Sequence, residues 1–147
     1  ARFESITNTT TDGSNLGRFE VWTSSIHMFK DHPITGVGIG QWRIIYEKSY
    51  RLPTENQHLY HAHNNFIQLL SEVGILGLLG VLIFYGSIVV DNLVTWIKKR
   101  DPYSLCSMIA VICYVFIFGQ VEYTLDNSSG MRIMYFMLAT MLQLRDN

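Results

Sequence analysis

Cysteine, proline and excess charge of either sign are scarce in this chain. Among its 147 residues are 2 cysteines, 3 prolines, 11 Lys or Arg residues and 12 Asp or Glu residues, for a formal net charge of −1. This balance gives no reason to expect a nucleic-acid partner, and no block of like charge forms an acidic or basic tail. Cys106 and Cys113 lie seven residues apart in an apolar stretch. That spacing puts them on one helix face but too far apart for a disulfide, so we interpret them as packing residues.

The chain also lacks an initiator Met, a basic leading segment and a signal-like apolar core, since it begins Ala1-Arg2-Phe3. Such segments would target a protein to a membrane. The later residues are nevertheless largely apolar, whereas residues 1–62 are largely polar. We therefore expect a piece of a longer membrane protein, with further spans before Ala1.

Long apolar stretches fill most of the chain after residue 63. We predict transmembrane helices at about residues 73–96 and 103–121, which are long enough to cross the hydrocarbon core. A third stretch, about 129–144, is short and contains Arg132, although a snorkelling side chain would allow it to span. The predicted fold class is all-α: an extracytoplasmic helical loop of residues 1–62, then a membrane part of residues 63–147 with two or three transmembrane helices.

Basic residues set the predicted orientation. Lys98-Lys99-Arg100 follows the first span, and no Lys or Arg lies between Arg100 and Arg132. Because short loops rich in Lys and Arg stay in the cytoplasm, residues 1–62 and the turn at about 122–130 fall on the outer side. In a bacterium this places the protein in the cytoplasmic (inner) membrane, with the 1–62 loop facing the periplasm.

Two helices and a glycine-rich connection are predicted within this loop. One apolar set recurs every three or four residues and predicts an amphipathic helix that ends before Pro33: Phe19, Trp22, Ile26 and Phe29. Residues 33–40 alternate glycine with other residues, which is typical of backbone that passes close to another segment. Aromatic and apolar residues predict a second short helix at about 42–50.

A His-Asn pair precedes the first predicted span. From Asn64 or Asn65, either of which can cap a helix, an apolar stripe leads into the membrane: Phe66, Ile67, Leu69, Leu70 and Val73. Three glycines at helical spacing follow and favour close helix packing: Gly74, Gly77 and Gly80. His63 then lies near a bilayer surface, where an enzyme meets a lipid-carried substrate; alternatively, it only caps the helix.

Five motifs, in this order and at these spacings, resemble the O-antigen ligase and polymerase family. They are Arg2-Phe3-Glu4-Ser5-Ile6, Gly17-Arg18 with Trp22, residues 31–40, His61-Ala62-His63-Asn64, and residues 72–77. The resemblance runs from the first residues to about Leu79. It implies a polytopic bacterial inner-membrane enzyme that resembles the GT-C glycosyltransferases, with a large periplasmic loop.

The resemblance also implies a reaction and its participants. Family members transfer a glycan from a polyprenyl-pyrophosphate carrier to a hydroxyl acceptor, which is lipid A-core sugar for ligases and another glycan repeat for polymerases. The family works without a cofactor. Matching its motifs residue by residue assigns catalysis to His63 with Asn64, and substrate binding to Arg2, Arg18 and His61.

The residue types suit this chemistry. Displacing pyrophosphate from an anomeric carbon requires a base for the acceptor proton and cations for the departing charge. Histidine accepts protons near neutral pH, and arginine binds phosphate oxygens bidentately while keeping its charge. Arg2 and Arg18 match the family's loop arginines, whereas Arg43 and Arg51 are less specifically placed.

Other interpretations remain open. His58, His61 and His63 suggest a metal site, although no Cys or carboxylate at a suitable spacing completes it, so we predict no metal. A non-catalytic transporter is another alternative, but it should place ionisable residues at mid-membrane depth. The predicted spans are nearly free of charge, which favours the enzyme. Ligase and polymerase are not distinguished by these residues.

Overall fold

The computed structural model describes residues 13–53, 59–126 and 128–146, and these ranges contain helices and turns but no β-strand. Within these ranges, five α-helices follow one another: α1 (Gly13–Asp31), α2 (Trp42–Ile45), α3 (Asn65–Lys99), α4 (Pro102–Val111) and α5 (Ser128–Asp146). π-helical turns extend α2 through Tyr46–Tyr50 and α4 through Ile112–Ile117, and a 3₁₀ turn, Phe118–Gln120, follows the second. The all-α fold class is confirmed.

Two of these helical stretches, over the residues described, are long and apolar enough to cross a membrane: α3, and Pro102–Gln120, which contains α4. They include most of the first two predicted spans, which stay predictions. The third predicted span lies in α5, which is less apolar and carries Arg132 near one end and Arg145 near the other. α5 does not meet the same requirement.

The surface of α3 supports the membrane assignment. A row of large apolar side chains recurs every seven residues along the helix and is exposed: Leu76, Ile83, Val90 and Ile97. The core helix of a water-soluble protein would bury such a row, because apolar area gains free energy by leaving water. In a bilayer the same row faces lipid without cost.

α3 is also the centre of the packing, since it contacts α1 on one side and α4 on the other, while α5 packs on α4. One core lies around α1 and the residues after it: Val21, Met28, Trp42, Tyr46 and Ala62. A second core joins the membrane helices: Tyr85, Val111, Val115, Met134 and Leu138.

The predicted amphipathic helix exists as α1, but its recurring apolar set does not form the buried face. Phe19 and Ile26 are exposed, and Trp22 and Phe29 are only partly buried. The buried face instead combines Val21 and Met28 with small residues: Gly17, Ser24 and Ser25. Small side chains allow close approach, and the Ser25 hydroxyl is satisfied by donating to the Val21 carbonyl at 2.7 Å. Apolar periodicity does not detect such a face.

A break in α3 explains the glycine-rich connection. Gly74 has φ 67°, in the left-handed region that favours glycine, and a Cβ there would lie 2.3 Å from the Ile34 carbonyl oxygen. The connecting segment supplies the backbone hydrogen bonds that the helix loses: the Val37 N–H donates to Ser71 O at 3.0 Å, and the Ile75 N–H donates to Pro33 O at 2.9 Å.

This arrangement confirms that the glycine-rich segment passes close to another backbone and corrects the interpretation of the three helix glycines. Gly74 serves the break in α3 rather than helix packing. A Cβ on Gly80 would have nothing within 4 Å, so Gly80 does not mark a tight helix contact.

The apolar stripe at the start of α3 does not form the buried side of the helix. Of its members only Leu69 is buried, and the other four are partly exposed. The buried side of this first part of the helix is polar: Asn65, Gln68, Ser71 and Glu72. These side chains find hydrogen-bond partners inside the protein, which is the requirement for burying polar groups.

Candidate functional site

His63 stands immediately before α3 in a strained backbone conformation. Its φ is 48°, in a left-handed region that costs free energy for a residue with a Cβ. The neighbouring Ala62 is held from two sides, because its carbonyl accepts from Trp22 Nε1 at 2.7 Å and its N–H donates to Gln68 Oε1 at 2.8 Å. These bonds tie the His61–His63 segment to both α1 and α3.

Asn64 is the cap of α3. Its Oδ1 accepts hydrogen bonds from the backbone N–H groups of Phe66 at 2.9 Å and Ile67 at 3.1 Å, which satisfies two donors at the helix start. Its Nδ2 donates to the carbonyl of Gln120 at 3.0 Å. Asn64 therefore fixes the helix start next to His63 and joins it to the turn that follows the second span.

Glu122, on that turn, is the site residue that the sequence did not reveal. His63 Nδ1 lies 3.3 Å from Glu122 Oε2 and 3.3 Å from Oε1, and His61 Nε2 lies 3.5 Å from Oε1. The two imidazole rings are 4.2 Å apart. The spacing of 59 residues hid this cluster, because only packing of α3 against α4 brings the two segments together.

The charges in this cluster follow from its surroundings. Burial and the adjacent His63 lower the pKa of His61, despite the opposing carboxylates of Glu122 and Asp126. Partial burial alone would raise the pKa of Glu122, but the Tyr123 N–H and the imidazoles of His63 and His61 hold it below its usual value. At neutral pH the cluster thus combines an ionised carboxylate with a neutral His61.

A pocket of about 400 Å³ opens beside this cluster. Both aromatic and charged side chains line it: Ile39, Gly40, Trp42, Arg43, Tyr60, His61, Gln68, Glu72, Tyr123 and Asp126. The Arg43 guanidinium lies over the Tyr60 ring, 4.1 Å from its centroid, at a distance typical of a cation–π contact. The pocket therefore offers hydroxyl donors, carboxylate acceptors and one cation.

Glu72 forms the inner wall of the pocket. It is only 7% exposed, and its carboxylate accepts hydrogen bonds from Gln68 Nε2 at 3.1 Å and from the Gly40 N–H. Burial, together with the charges of Glu72 and Asp126, raises the pKa of Tyr123 well above its usual range. Tyr123 consequently remains a neutral phenol that is hydrogen-bonded to Glu72.

An apolar groove continues from the pocket along α3. Three residues line both cavities: Ile39, Glu72 and Tyr123. The groove has a volume of about 560 Å³, and its further lining includes Leu69, Val73, Gly77, Gly80, Val81, Phe84, Tyr85, Leu125, Met131 and Tyr135. The polar pocket and the apolar groove therefore adjoin at these three residues, and the groove extends along the first span.

The remaining predicted residues differ in how they relate to this site. Arg18 lies on α1 one turn before Trp22, so the two share a helix face, but Arg18 does not line the pocket. Arg43, which the sequence left less specifically placed, does line it. Arg51 pairs with Glu47 at 3.8 Å. Arg2 and His58 lie outside the described residues.

The cluster also has the composition of a metal site. One ligand atom each from His61, His63 and Glu122 lie within 4.8 Å of one another, so the expectation that no carboxylate completes the set is wrong. However, His61 Nδ1 accepts the His63 backbone N–H at 3.2 Å, so neutral His61 carries its proton on Nε2, the atom facing Glu122. A metal would need that lone pair, and we therefore interpret these contacts as hydrogen bonds.

Comparisons with known proteins identify the family of this chain. The chain is 26% identical over 136 residues to the exopolysaccharide production protein ExoQ of Rhizobium meliloti (strain 1021), covering 85% of this chain and 30% of that protein. No solved structure matches the chain. The family model described as O-antigen ligase matches residues 1–82, which include His61, His63 and the break in α3. The chain is therefore a membrane protein that belongs to the O-antigen ligase family.

Proposed function

We propose that the protein transfers a glycan from a polyprenyl-pyrophosphate-linked donor to a hydroxyl acceptor, as an O-antigen ligase-type enzyme. One observation carries the proposal: the polar pocket at His61 adjoins the apolar groove beside α3, since Ile39, Glu72 and Tyr123 line both. A lipid-linked glycan has the same two parts, a hydroxyl-rich head and a long apolar tail. Membership of the O-antigen ligase family supports the same substrate class.

The position of α3 in the bilayer supports an outer-surface site. At about 1.5 Å per residue, the part of α3 from Ile75 to Trp96 extends roughly 33 Å, close to the thickness of the hydrocarbon core. The break at Gly74 then lies near one surface and the basic end of α3 at Lys98–Arg100 near the other. By the positive-inside rule the pocket faces the periplasm of the bacterial cytoplasmic membrane. A thiol reagent applied from outside should label Lys30→Cys and spare Lys99→Cys, in a background without Cys106 and Cys113; the reverse would reject this orientation.

The reaction needs few protein groups. The acceptor oxygen attacks the anomeric carbon while His63 takes the hydroxyl proton, and the carbon–oxygen bond to pyrophosphate breaks with its electron pair leaving on the phosphate. Arginines stabilise that leaving charge. Arg18 and, by resemblance, Arg2 take this role, with Asn64 holding the segment of His63 in place and His61 beside the acceptor.

The experiment uses the full-length protein in liposomes, with a polyprenyl-pyrophosphate glycan as donor and a sugar hydroxyl as acceptor. Transfer of the glycan is expected. Gly80→Leu places a side chain in the groove where there is free space and should raise KM for the lipid-linked donor. Gly86→Leu is the matched control, because Gly86 also has free space around it but does not line the groove. Absence of transfer by the parental protein, or equal KM values for the two variants, would reject the proposal.

A polymerase of the same family is the second candidate. It is favoured by the similarity to a protein named for exopolysaccharide production. The same liposomes distinguish the two functions when they are offered either a lipid A-core acceptor or a second lipid-linked repeat. A ligase uses the former and a polymerase the latter.

A transporter receives no comparable support. From Val73 to Val90, α3 contains no Asp, Glu, Lys or Arg, whereas transport sites place ionisable groups at mid-membrane depth. Asp91 lies beyond this stretch and pairs with Arg145 at 2.7 Å, near the basic end of the helix. Ion uptake by the same liposomes without any glycan transfer would restore the transporter interpretation.

A further inference from the structure

We propose that Glu122 is a positioning residue for the base His63: it holds the imidazole with its proton on Nδ1, so that the Nε2 lone pair is free to accept the proton of the acceptor hydroxyl. This inference rests on the proposed glycan transfer and adds a second residue to its chemistry. The carrying observation is the contact of His63 Nδ1 with the Glu122 carboxylate, at 3.3 Å.

Hydrogen-bond chemistry fixes the tautomer. An ionised carboxylate only accepts, so the imidazole nitrogen facing it must carry the proton. In a neutral imidazole the other nitrogen is then the acceptor, and the partner of one nitrogen thus decides the function of the other. For His63 the nitrogen facing Glu122 is Nδ1, which leaves Nε2 as the basic atom.

His61 completes the arrangement. Its Nδ1 accepts the backbone N–H of His63 at 3.2 Å, so its proton lies on Nε2, directed toward Glu122 Oε1 at 3.5 Å. The Tyr123 N–H donates to the same Oε1 at 3.0 Å. Oε1 therefore accepts from the Tyr123 N–H and lies nearest to His61 Nε2, while His63 Nδ1 lies 3.3 Å from both carboxylate oxygens.

The fold holds Glu122 in place from both sides. Two residues before it, the Gln120 carbonyl accepts from Asn64 Nδ2 at 3.0 Å. Two residues after it, the Thr124 N–H donates to Asn65 Oδ1 at 2.8 Å, and Asn65 Nδ2 donates back to Thr124 Oγ1 at 2.7 Å. The two residues that follow His63 thus clamp both flanks of Glu122, which fixes the carboxylate relative to the imidazole before any substrate binds.

The carboxylate also acts during the step itself. When the acceptor oxygen bonds to the anomeric carbon, its proton moves to His63 Nε2 and the pyrophosphate departs with the electron pair of the broken bond. His63 becomes an imidazolium with both nitrogens protonated. The Glu122 carboxylate stabilises that cation without taking its proton, as the acid of a catalytic triad does.

The test compares Glu122→Gln, Glu122→Ala and Glu122→Asp in the full-length enzyme. In Glu122→Gln the amide oxygen takes the Oε1 position, because the Tyr123 N–H donates there. The amide NH₂ then takes the Oε2 position, 3.3 Å from His63 Nδ1, and favours the tautomer with its proton on Nε2. We expect Glu122→Gln to lose kcat by about 100-fold or more, at least as much as Glu122→Ala, with KM within about twofold of the parental value. Glu122→Asp should retain more activity than either.

If Glu122 had only a structural role, the order of activity of the Gln and Ala variants would be reversed. Gln has the shape of Glu and would be the mildest of the three changes. A Gln variant more active than the Ala variant, with melting temperature falling in parallel with activity, would therefore overturn the proposal. Glu47→Gln, which changes a partly exposed carboxylate that does not line the pocket, is the control and should keep parental kcat.

His63→Ala separates failure of this inference from failure of the proposed function. The double variant His63→Ala/Glu122→Gln should be no slower than His63→Ala alone, because the two residues act as one unit. If His63→Ala loses transfer while Glu122→Gln does not, only the inference fails; if both transfer at the parental rate, the base assignment fails as well. Activity abolished by a chelator and restored by Zn²⁺ would assign the cluster to a metal and overturn the inference.

Discussion

The two parts of α3 on either side of Gly74 bury opposite kinds of residue against their neighbours, polar before the glycine and apolar after it. Before the break, the buried face is polar: Asn65, Gln68, Ser71 and Glu72. After it, exposed apolar residues recur along the helix, and the buried contact with α4 and α5 is made by apolar and aromatic side chains such as Tyr85. One helix thus contains a polar candidate site before Gly74 and an apolar membrane segment after it.

The difference teaches where the site can form. Polar groups can be buried only when hydrogen bonds replace those to water, and the first part of α3 obtains these bonds from the segments around it. The Glu72 carboxylate accepts hydrogen bonds from Gln68 Nε2 and the Gly40 N–H, and Asn65 Oδ1 accepts one from the Thr124 N–H. Beyond Gly74 few such partners are within reach, so the chemistry is confined to the end of the helix near the predicted membrane surface.

Gly74→Ala should have the largest effect, because it changes the break that separates the polar and the apolar parts of α3. A Cβ at this position would lie 2.3 Å from a backbone oxygen, at φ 67°, so both a steric overlap and a backbone strain oppose it. We expect a loss of about 2–5 kcal/mol in the free energy of unfolding, measured by denaturation of the full-length protein in detergent.

Gly80→Ala is the control for this change, because a Cβ at Gly80 has nothing within 4 Å. It should leave the free energy of unfolding within about 0.5 kcal/mol of the parental value or raise it slightly. Equal stability of the two variants would show that the break in α3 does not depend on Gly74.

Substitution of Arg18 tests whether the region outside the spans supplies the positive charge that binds the pyrophosphate, since the spans themselves contain almost no charged residues. Arg18→Ala should lower transfer about 10- to 100-fold, because the leaving pyrophosphate loses a bidentate cation. Arg18→Lys should retain part of the activity, since it keeps the charge but not the planar fork. Lys30→Ala, at an exposed cation on the same helix, should transfer glycan at the parental rate; if Arg18→Ala does so too, Arg18 has no part in donor binding.

The smallest expected effect is on the pH dependence of the melting temperature. Burial and His63 lower the pKa of His61 below its usual value, while Glu122 and Asp126 oppose the shift. Its contribution to stability is therefore complete above the unfolded pKa of about 6.5 and is lost as pH falls through the lower folded value. His61→Gln should reduce the fall in melting temperature between about pH 7 and pH 5. His27→Gln, at an exposed site on α1, should not; a parental pH dependence in His61→Gln would contradict the assignment.

Much of the fold could be predicted from the sequence, because length, apolar content and helix stop signals are local properties. The two membrane helices, the helix at α1 and the close passage of the glycine-rich segment all follow from such signals. The buried faces could not be predicted in this way. In α1 and in the first part of α3, small and polar residues are inside, and only their tertiary partners make that favourable.

The site could be predicted in part. The motif around His63 identifies that residue, since a His-Asn pair before an apolar run is visible in the chain. Glu122 and Arg43 could not be found, because each reaches the site through packing between distant segments. A carboxylate directly after a predicted span, on the same side of the membrane as His63, was the available signal.

Transfer by His63→Ala tests the central claim most directly. The full-length protein in liposomes is given the polyprenyl-pyrophosphate glycan and an acceptor, and kcat is measured beside that of His27→Ala, with melting temperatures taken in parallel. We predict that His63→Ala folds normally and transfers glycan about 10²- to 10⁴-fold more slowly, whereas His27→Ala matches the parental enzyme. Transfer by a folded His63→Ala at the parental rate would contradict the account and leave His63 as part of the helix cap.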